Sequence, residues 1–234
     1  MNATEVVAEL KKLGTAQTRK TWMTHGAQEP CLGVKVEDMK KIQKRVKMDY
    51  ALALDLYDTG IADAMYLAGL IADDAKMTPK DLQKWAENAT WGMVAEYTVP
   101  WVASGSPHGR EMALKWMESR DERIASSGWQ TYSSLVAITE DAKLDLGEIK
   151  SLLQRVSKTI HRQPNRVKYV MNGFVIAVAC FVKPLHKVAV DAAKGIGKVE
   201  VELTGECKIP YAPDHIKKFA ARSAIGKKRK SPKC

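Results

Sequence analysis

Apolar residues recur at three- and four-residue intervals along nearly the whole chain, and that periodicity predicts helices from end to end. Near 2–13, Val6, Leu10 and Leu13 share one face while Lys11 and Lys12 point elsewhere. A loop over roughly 26–35, with Gly26, Pro30 and Gly33, follows a short second helix. Three helices then succeed one another between 36 and 73: VEDMKKIQKRVK, DYALALDLYD and IADAMYLAGLIADD. Only Asp58-Thr59-Gly60 joins the last two, and so short a connection forces them antiparallel. Thr78-Pro79 is a strong helix start, because threonine caps free N–H groups and proline in the first turn gives up no bond; Asp81 completes a capping box. Ser106-Pro107 repeats the device ahead of HGREMALKWMES, and further helices are predicted over 121–138, 145–158, 166–181 and 184–194.

Short helices in repeated pairs bury their apolar faces only by stacking, so the expected fold is all-α, a HEAT-like helical-repeat solenoid over 1–195. No exact period is visible, and a bundle without superhelical curvature remains the competitor. The pattern changes at Gly195. KVEVELTGECKIPYAP alternates apolar and charged positions around Thr204-Gly205 and reads as a small β-hairpin, with a last helix from Asp214 to Arg222. Residues 196–225 are thus expected to form an extension, and 226–234 a basic, disordered tail.

Composition narrows the function. With 45% hydrophobic residues in 234 a packed core is expected. The opening MNATEVVAELKKLG carries no secretory or lipidation signal, and the apolar run near 170–182 is broken by Asn172 and Gly173. A soluble, cytoplasmic protein is expected, with no membrane partner and monomeric. Four scattered cysteines and five histidines show no C-x-x-C or H-E-x-x-H spacing, so no metal and no cofactor are expected; G-x-G-x-x-G, Walker and G-x-S-x-G motifs are also missing.

The net charge of +10 points to an anionic partner. No acidic residue stands between Glu148 and Asp191, a window that includes Arg155, Lys158, Arg162, Arg166, Lys168 and Lys183. The first four follow at spacings of three, four and four, a cationic stripe interrupted by Pro164. A second cluster, IGKKRKSPKC, holds Lys227, Lys228, Arg229 and Lys230. A solvated basic face is one reading; phosphate contacts along a nucleic acid are the other, and clustered cations without acids suit the second.

Six tryptophans against three phenylalanines is a rich supply of flat apolar surface, and roughly two of the six are expected at a binding face, since indoles usually bury most of their area. The stretch NATWGMVAEYTVPW sets one carboxylate, Glu96, among aromatics. On a regular helix Glu96 lies about 140° from Trp91 and points away from it, whereas Ala95 shares its side; only a bulge near Gly92 or Pro100 redirects Glu96.

The helical pairs, the aromatic helix at 90–103, NRVKYVMNGFVIAVA at 165–179 and the basic ending together resemble the DNA alkylation repair proteins of the AlkD type, bacterial alkylpurine DNA glycosylases built from HEAT-like repeats. The resemblance covers about 5–195 in architecture and implies a concave, basic groove that holds duplex DNA by its backbone. In active members an aspartate, two tryptophans and an arginine act on a nucleotide with a cationic base. A carboxylate there stabilises positive charge developing on the sugar, and aromatic faces favour the cation. Here the first tryptophan falls on Trp91, the aspartate on Ala95, the arginine on Ser126 and the second tryptophan on Phe174. Trp91 and Phe174 are the aromatic groove candidates and Glu96 the substitute acid. Three functions stay open: a glycosylase, a noncatalytic module for branched or damaged DNA, and a helical scaffold for an acidic protein.

Overall fold

A computed structural model describes residues 1–202 and 208–233. Thirteen α-helices run through them: α1 (Ala3–Leu13), α2 (Ala16–Thr24), α3 (Val36–Val46), α4 (Tyr50–Asp58), α5 (Ala62–Ile71), α6 (Pro79–Asn88), α7 (Val99–Gly105), α8 (Gly109–Met117), α9 (Glu122–Ile138), α10 (Leu146–Thr159), α11 (Asn165–Phe181), α12 (His186–Ile196) and α13 (Ala212–Ala220). The local chemistry acts as the sequence predicts at α6, where Thr78 Oγ1 accepts from the Asp81 N–H and the Asp81 carboxylate accepts in return from the Thr78 N–H at 3.0 Å. No single helix is long and apolar enough to cross a membrane.

The helices pair in chain order. α4 packs on α5, α8 on α9, and α11 on both α9 and α12, so α9 and α11 lie at the centre of the second half. Two positions show how closely the layers approach. A Cβ at Gly128 of α9 would sit 2.6 Å from the Met117 nitrogen of α8, and one at Gly69 of α5 would sit 2.5 Å from Thr98 Cγ2. Only glycine permits these separations. Asp63, fully buried on α5, accepts the backbone N–H groups of Leu32 at 2.6 Å and Val34 at 2.7 Å, which seats the 26–35 loop against the core.

Three expectations are corrected. No strand occurs among the described residues, so the hairpin is not found there, and its turn at 203–207 lies outside them. Side chains of α11 explain the change: Asn165 exchanges hydrogen bonds with both backbone groups of Glu202, and Asn172 donates to the Pro210 carbonyl at 3.0 Å. These groups are satisfied by a helix rather than by an opposing strand.

The basic tail is tied down. Gly226 N–H donates to the Cys180 carbonyl and Arg229 N–H to that of Ala137, each at 2.8 Å. Lys228 Nζ bridges the Val136 carbonyl at 2.9 Å and Asp141 at 2.8 Å, and Lys233 Nζ does the same with the Ala72 carbonyl at 2.9 Å and Asp74 at 2.8 Å. The segment is a strap across the carboxyl ends of α11, α9 and α5, where cations meet the negative ends of the helix dipoles.

All six tryptophans are buried, including Trp85, Trp116 and Trp129 at 1% exposure or less. Burial of so much indole area is an apolar gain that a small repeat protein uses internally before it displays it.

Candidate nucleic-acid interface

The aromatic stretch does not form a regular helix. Val94–Thr98 is a π turn, in which the Val99 N–H reaches back five residues to the Val94 carbonyl. Pro100 explains the break: it has no N–H to offer the Glu96 carbonyl four residues earlier. The wider turn swings Glu96 back toward Trp91, and the expectation that it points away is overturned. Trp91, Ala95 and Glu96 line one cavity of about 330 Å³, together with Tyr97, Arg123, Arg166 and Tyr169.

Glu96 is only 2% exposed and its charge is met by Arg166 in a two-pronged pair, Nε to Oε1 at 2.7 Å and Nη2 to Oε2. Burial pushes the Glu96 carboxyl above its ordinary value, while Arg166 pulls it back and Glu122 adds to the rise. The Arg166 guanidinium also lies over the Tyr169 ring, 4.6 Å from its centre. Its backbone N–H is accepted by Glu122. That carboxylate suits the positive amino end of α11, where Arg166 itself does not. Tyr97 and Tyr169 face the same cavity; the Tyr97 ring is partly exposed, but desolvation around its hydroxyl, with Tyr169 and Glu96 beside it, holds its proton well above the ordinary range. Among the described residues no group accepts from Trp91 Nε1, a buried donor in the wall of the cavity.

A second cavity of about 380 Å³ shares Tyr97 and Tyr169 with the first, so the two form one trough. Its wall is more polar than that of the first, with Gln130 and Ser133 of α9, Asn172 of α11 and Arg229 of the strap set among apolar groups such as Ile176 and Phe181. The aromatic half of the trough is built to take a flat apolar group and the polar half to take hydrogen-bonding groups and negative charge.

The residues assigned from sequence separate into three sets. Arg166 does share a cavity with Trp91, but it is engaged by Glu96. Arg155 is held by Glu118 and the Met117 carbonyl with its guanidinium 5.5 Å from the Trp129 ring. Lys228 is pinned to Asp141. The window that is free of acids in sequence is therefore not free of them in space, because the π turn, α8 and α9 deliver Glu96, Glu118 and Glu122 to it. Lys158, Arg162, Lys183, Lys227, Arg229 and Lys230 are exposed, and Lys168 is half-buried. Phe174 is wholly buried between Trp129 and Tyr132 and offers no face to the trough. Ser126, at the arginine's place, is buried as well.

Sequence reasoning missed Tyr97, Tyr169 and Arg123 as wall residues. One signal was available, the spacing of three between Arg166 and Tyr169, which stacks them on α11. Among the described residues no group of three or more acid, histidine or cysteine side chains is arranged to hold a metal.

Comparison with known proteins follows this geometry. The chain is 34% identical over 221 residues to the uncharacterized protein Lin0241 of Listeria innocua, covering 92% of this chain and 95% of that one. It is 33% identical over 222 residues to the uncharacterized protein Lmo0209 of Listeria monocytogenes, covering 92% and 96%. A solved structure superposes over 100% of both chains with a TM-score of 0.93 and 38% identity; it is described as a new family of proteins related to the HEAT-like repeat DNA glycosylases with affinity for branched DNA structures. The helical pairs therefore form the HEAT-like repeat fold. Residues 6–226 match the DNA alkylation repair enzyme family, and the chain belongs to that family.

Proposed function

We propose that this protein binds DNA by its backbone along the trough, prefers branched DNA to plain duplex, and does not hydrolyse the glycosidic bond of alkylated purines. The observation that carries the reading is the state of the acid: Ala95 stands beside Trp91, and the one carboxylate among the described residues that lines the same cavity, Glu96, is already neutralised by Arg166. A carboxylate committed to a guanidinium contributes little to a developing positive charge on a sugar. The aromatic and polar walls remain suited to a splayed nucleotide at a junction, where unpaired bases stack on flat side chains. The solved relative described as having affinity for branched DNA structures supports the choice of DNA shape.

The test is a titration of the protein against a four-way junction and a linear duplex of the same sequence over a range of salt. Tighter junction binding that weakens with salt is expected, and methylated DNA is expected to release no base. Release of alkylated purine that is lost in Glu96→Gln would overturn the noncatalytic reading. Absence of binding to either DNA at moderate salt would sink the whole assignment and leave an acidic protein as the partner.

A further inference from the structure

The strap has two faces. Its inward lysines, Lys228 and Lys233, are consumed by Asp141 and Asp74. Between and before them stand Lys227, Arg229 and Lys230, all exposed and none in an ion pair among the described residues. Lys183 joins this face: a Cβ on Gly226 would sit 2.9 Å from Lys183 Cβ, so the two chains run side by side, and the Lys183 side chain is exposed. Asp141, beside this face, is engaged by Lys228 Nζ and by the Lys183 N–H at 3.2 Å, and among the described residues no ion pair holds Lys183, Lys227 or Lys230.

The position of this face is as informative as its charge. Arg229 lines the second cavity, whereas Lys183, Lys227 and Lys230 line neither. The strap is therefore the lip of the trough, with one cation on the inner side and three beyond it. A single duplex running along the mouth of the trough meets Arg229 and stops at the lip. A second duplex leaving a junction over that edge passes its phosphates across the other three.

We propose that the C-terminal strap is a second phosphate-backbone site, in which Lys183, Lys227 and Lys230 hold a DNA arm other than the one in the trough. This rests on the DNA-binding reading above and names the feature that turns duplex binding into a preference for branched DNA. Two arms held at fixed angle by one rigid lip favour a junction over a duplex, because the second contact forms at high effective concentration once the first is made. The pinning of Lys228 and Lys233 gives the site its rigidity, so an otherwise flexible basic run loses little conformational freedom on binding.

The experiment uses the full chain, with Lys183→Ala, Lys227→Ala and Lys230→Ala combined, and reads the slope of log affinity against log salt for a four-way junction and for a linear duplex. Each phosphate contact contributes about 0.9 to that slope, so the junction slope is expected to fall by about 2.7 while the duplex slope stays unchanged. Arg229→Ala is expected to lower both slopes equally, as a residue of the trough does. Circular dichroism of the triple variant is expected to match the parent, since all three side chains are exposed. Equal losses on junction and duplex would place the three lysines in the trough site and overturn the proposal, and unchanged slopes on both would make the strap a solvated face. In either case the parent still binds DNA. Failure of the parent to bind any DNA is a different outcome and removes the trough reading together with this one.

Discussion

Two arginines of the same acid-free window meet a carboxylate, and the two pairs differ in kind. Arg155 and Glu118 join across the surface, with Glu118 67% exposed, whereas Arg166 reaches Glu96, which is 2% exposed. The first pair trades water for a partner at small net gain. The second removes a carboxylate from water altogether, so each partner is needed mainly to keep the other from standing alone. In the first case the charge is spare; in the second it is part of the core.

The largest effect that separates them is expected from Arg166→Met. It leaves Glu96 buried without a partner and is expected to cost about 3–5 kcal/mol in urea denaturation, the usual penalty for breaking one side of a buried pair. Adding Glu96→Gln to Arg166→Met removes the stranded charge and is expected to recover part of the loss. If the double variant is as unstable as the sum of the single ones, the two residues do not act as a pair.

The next effect is in pH. Burial raises Glu96, and its folded form holds a proton more tightly than the unfolded chain does. A group raised in this way adds stability below its unfolded value of 4.5 and loses that stability as pH rises through the folded value. The deficit of Arg166→Met should therefore be greatest near neutrality and shrink as pH falls toward 4.5. A deficit independent of pH would mean that lost packing, not the stranded carboxylate, is responsible.

A smaller loss, about 1 kcal/mol, is expected for Lys233→Met, since Asp74 is partly buried and its carboxyl is already raised by burial and lowered by Lys233. The smallest belongs to Arg155→Met, at about 0.5–1 kcal/mol for an exposed pair and a guanidinium beside Trp129. An Arg155→Met loss as large as that of Arg166→Met would erase the distinction between surface and core.

Much of the fold was legible because its signals are local. Thr78, Pro79 and Asp81 determine a helix start among themselves, and Asp58-Thr59-Gly60 determines a tight reversal. The site was less legible because it depends on residues brought from afar. Glu118, Glu122 and Glu96 lie far in sequence from the arginines whose side chain or backbone they meet, at separations of 37, 44 and 70. The direction of Glu96 turns on one missing N–H at Pro100, whose effect on a helix depends on what its neighbours accept. Phe174 and Tyr169 both sit on α11 five residues apart, and the choice of which faces the trough is made by Trp129 and Tyr132 packing against the former. The extension at 198–211 alternated like a strand, but Asn165 and Asn172 of α11 answer its backbone.

The strap also has a consequence for how the molecule is made. Its contacts span 92 residues from Lys228 to Val136 and 161 from Lys233 to Ala72, while most of the helical pairs contact near neighbours in the chain. Contacts of such long range close slowly and late. The two halves already meet through α7 and α9, but the strap's links to Asp141 and Asp74 can form only once Lys228 and Lys233 have left the ribosome. The fastening of the lip is therefore a later step than the pairing of the helices it crosses.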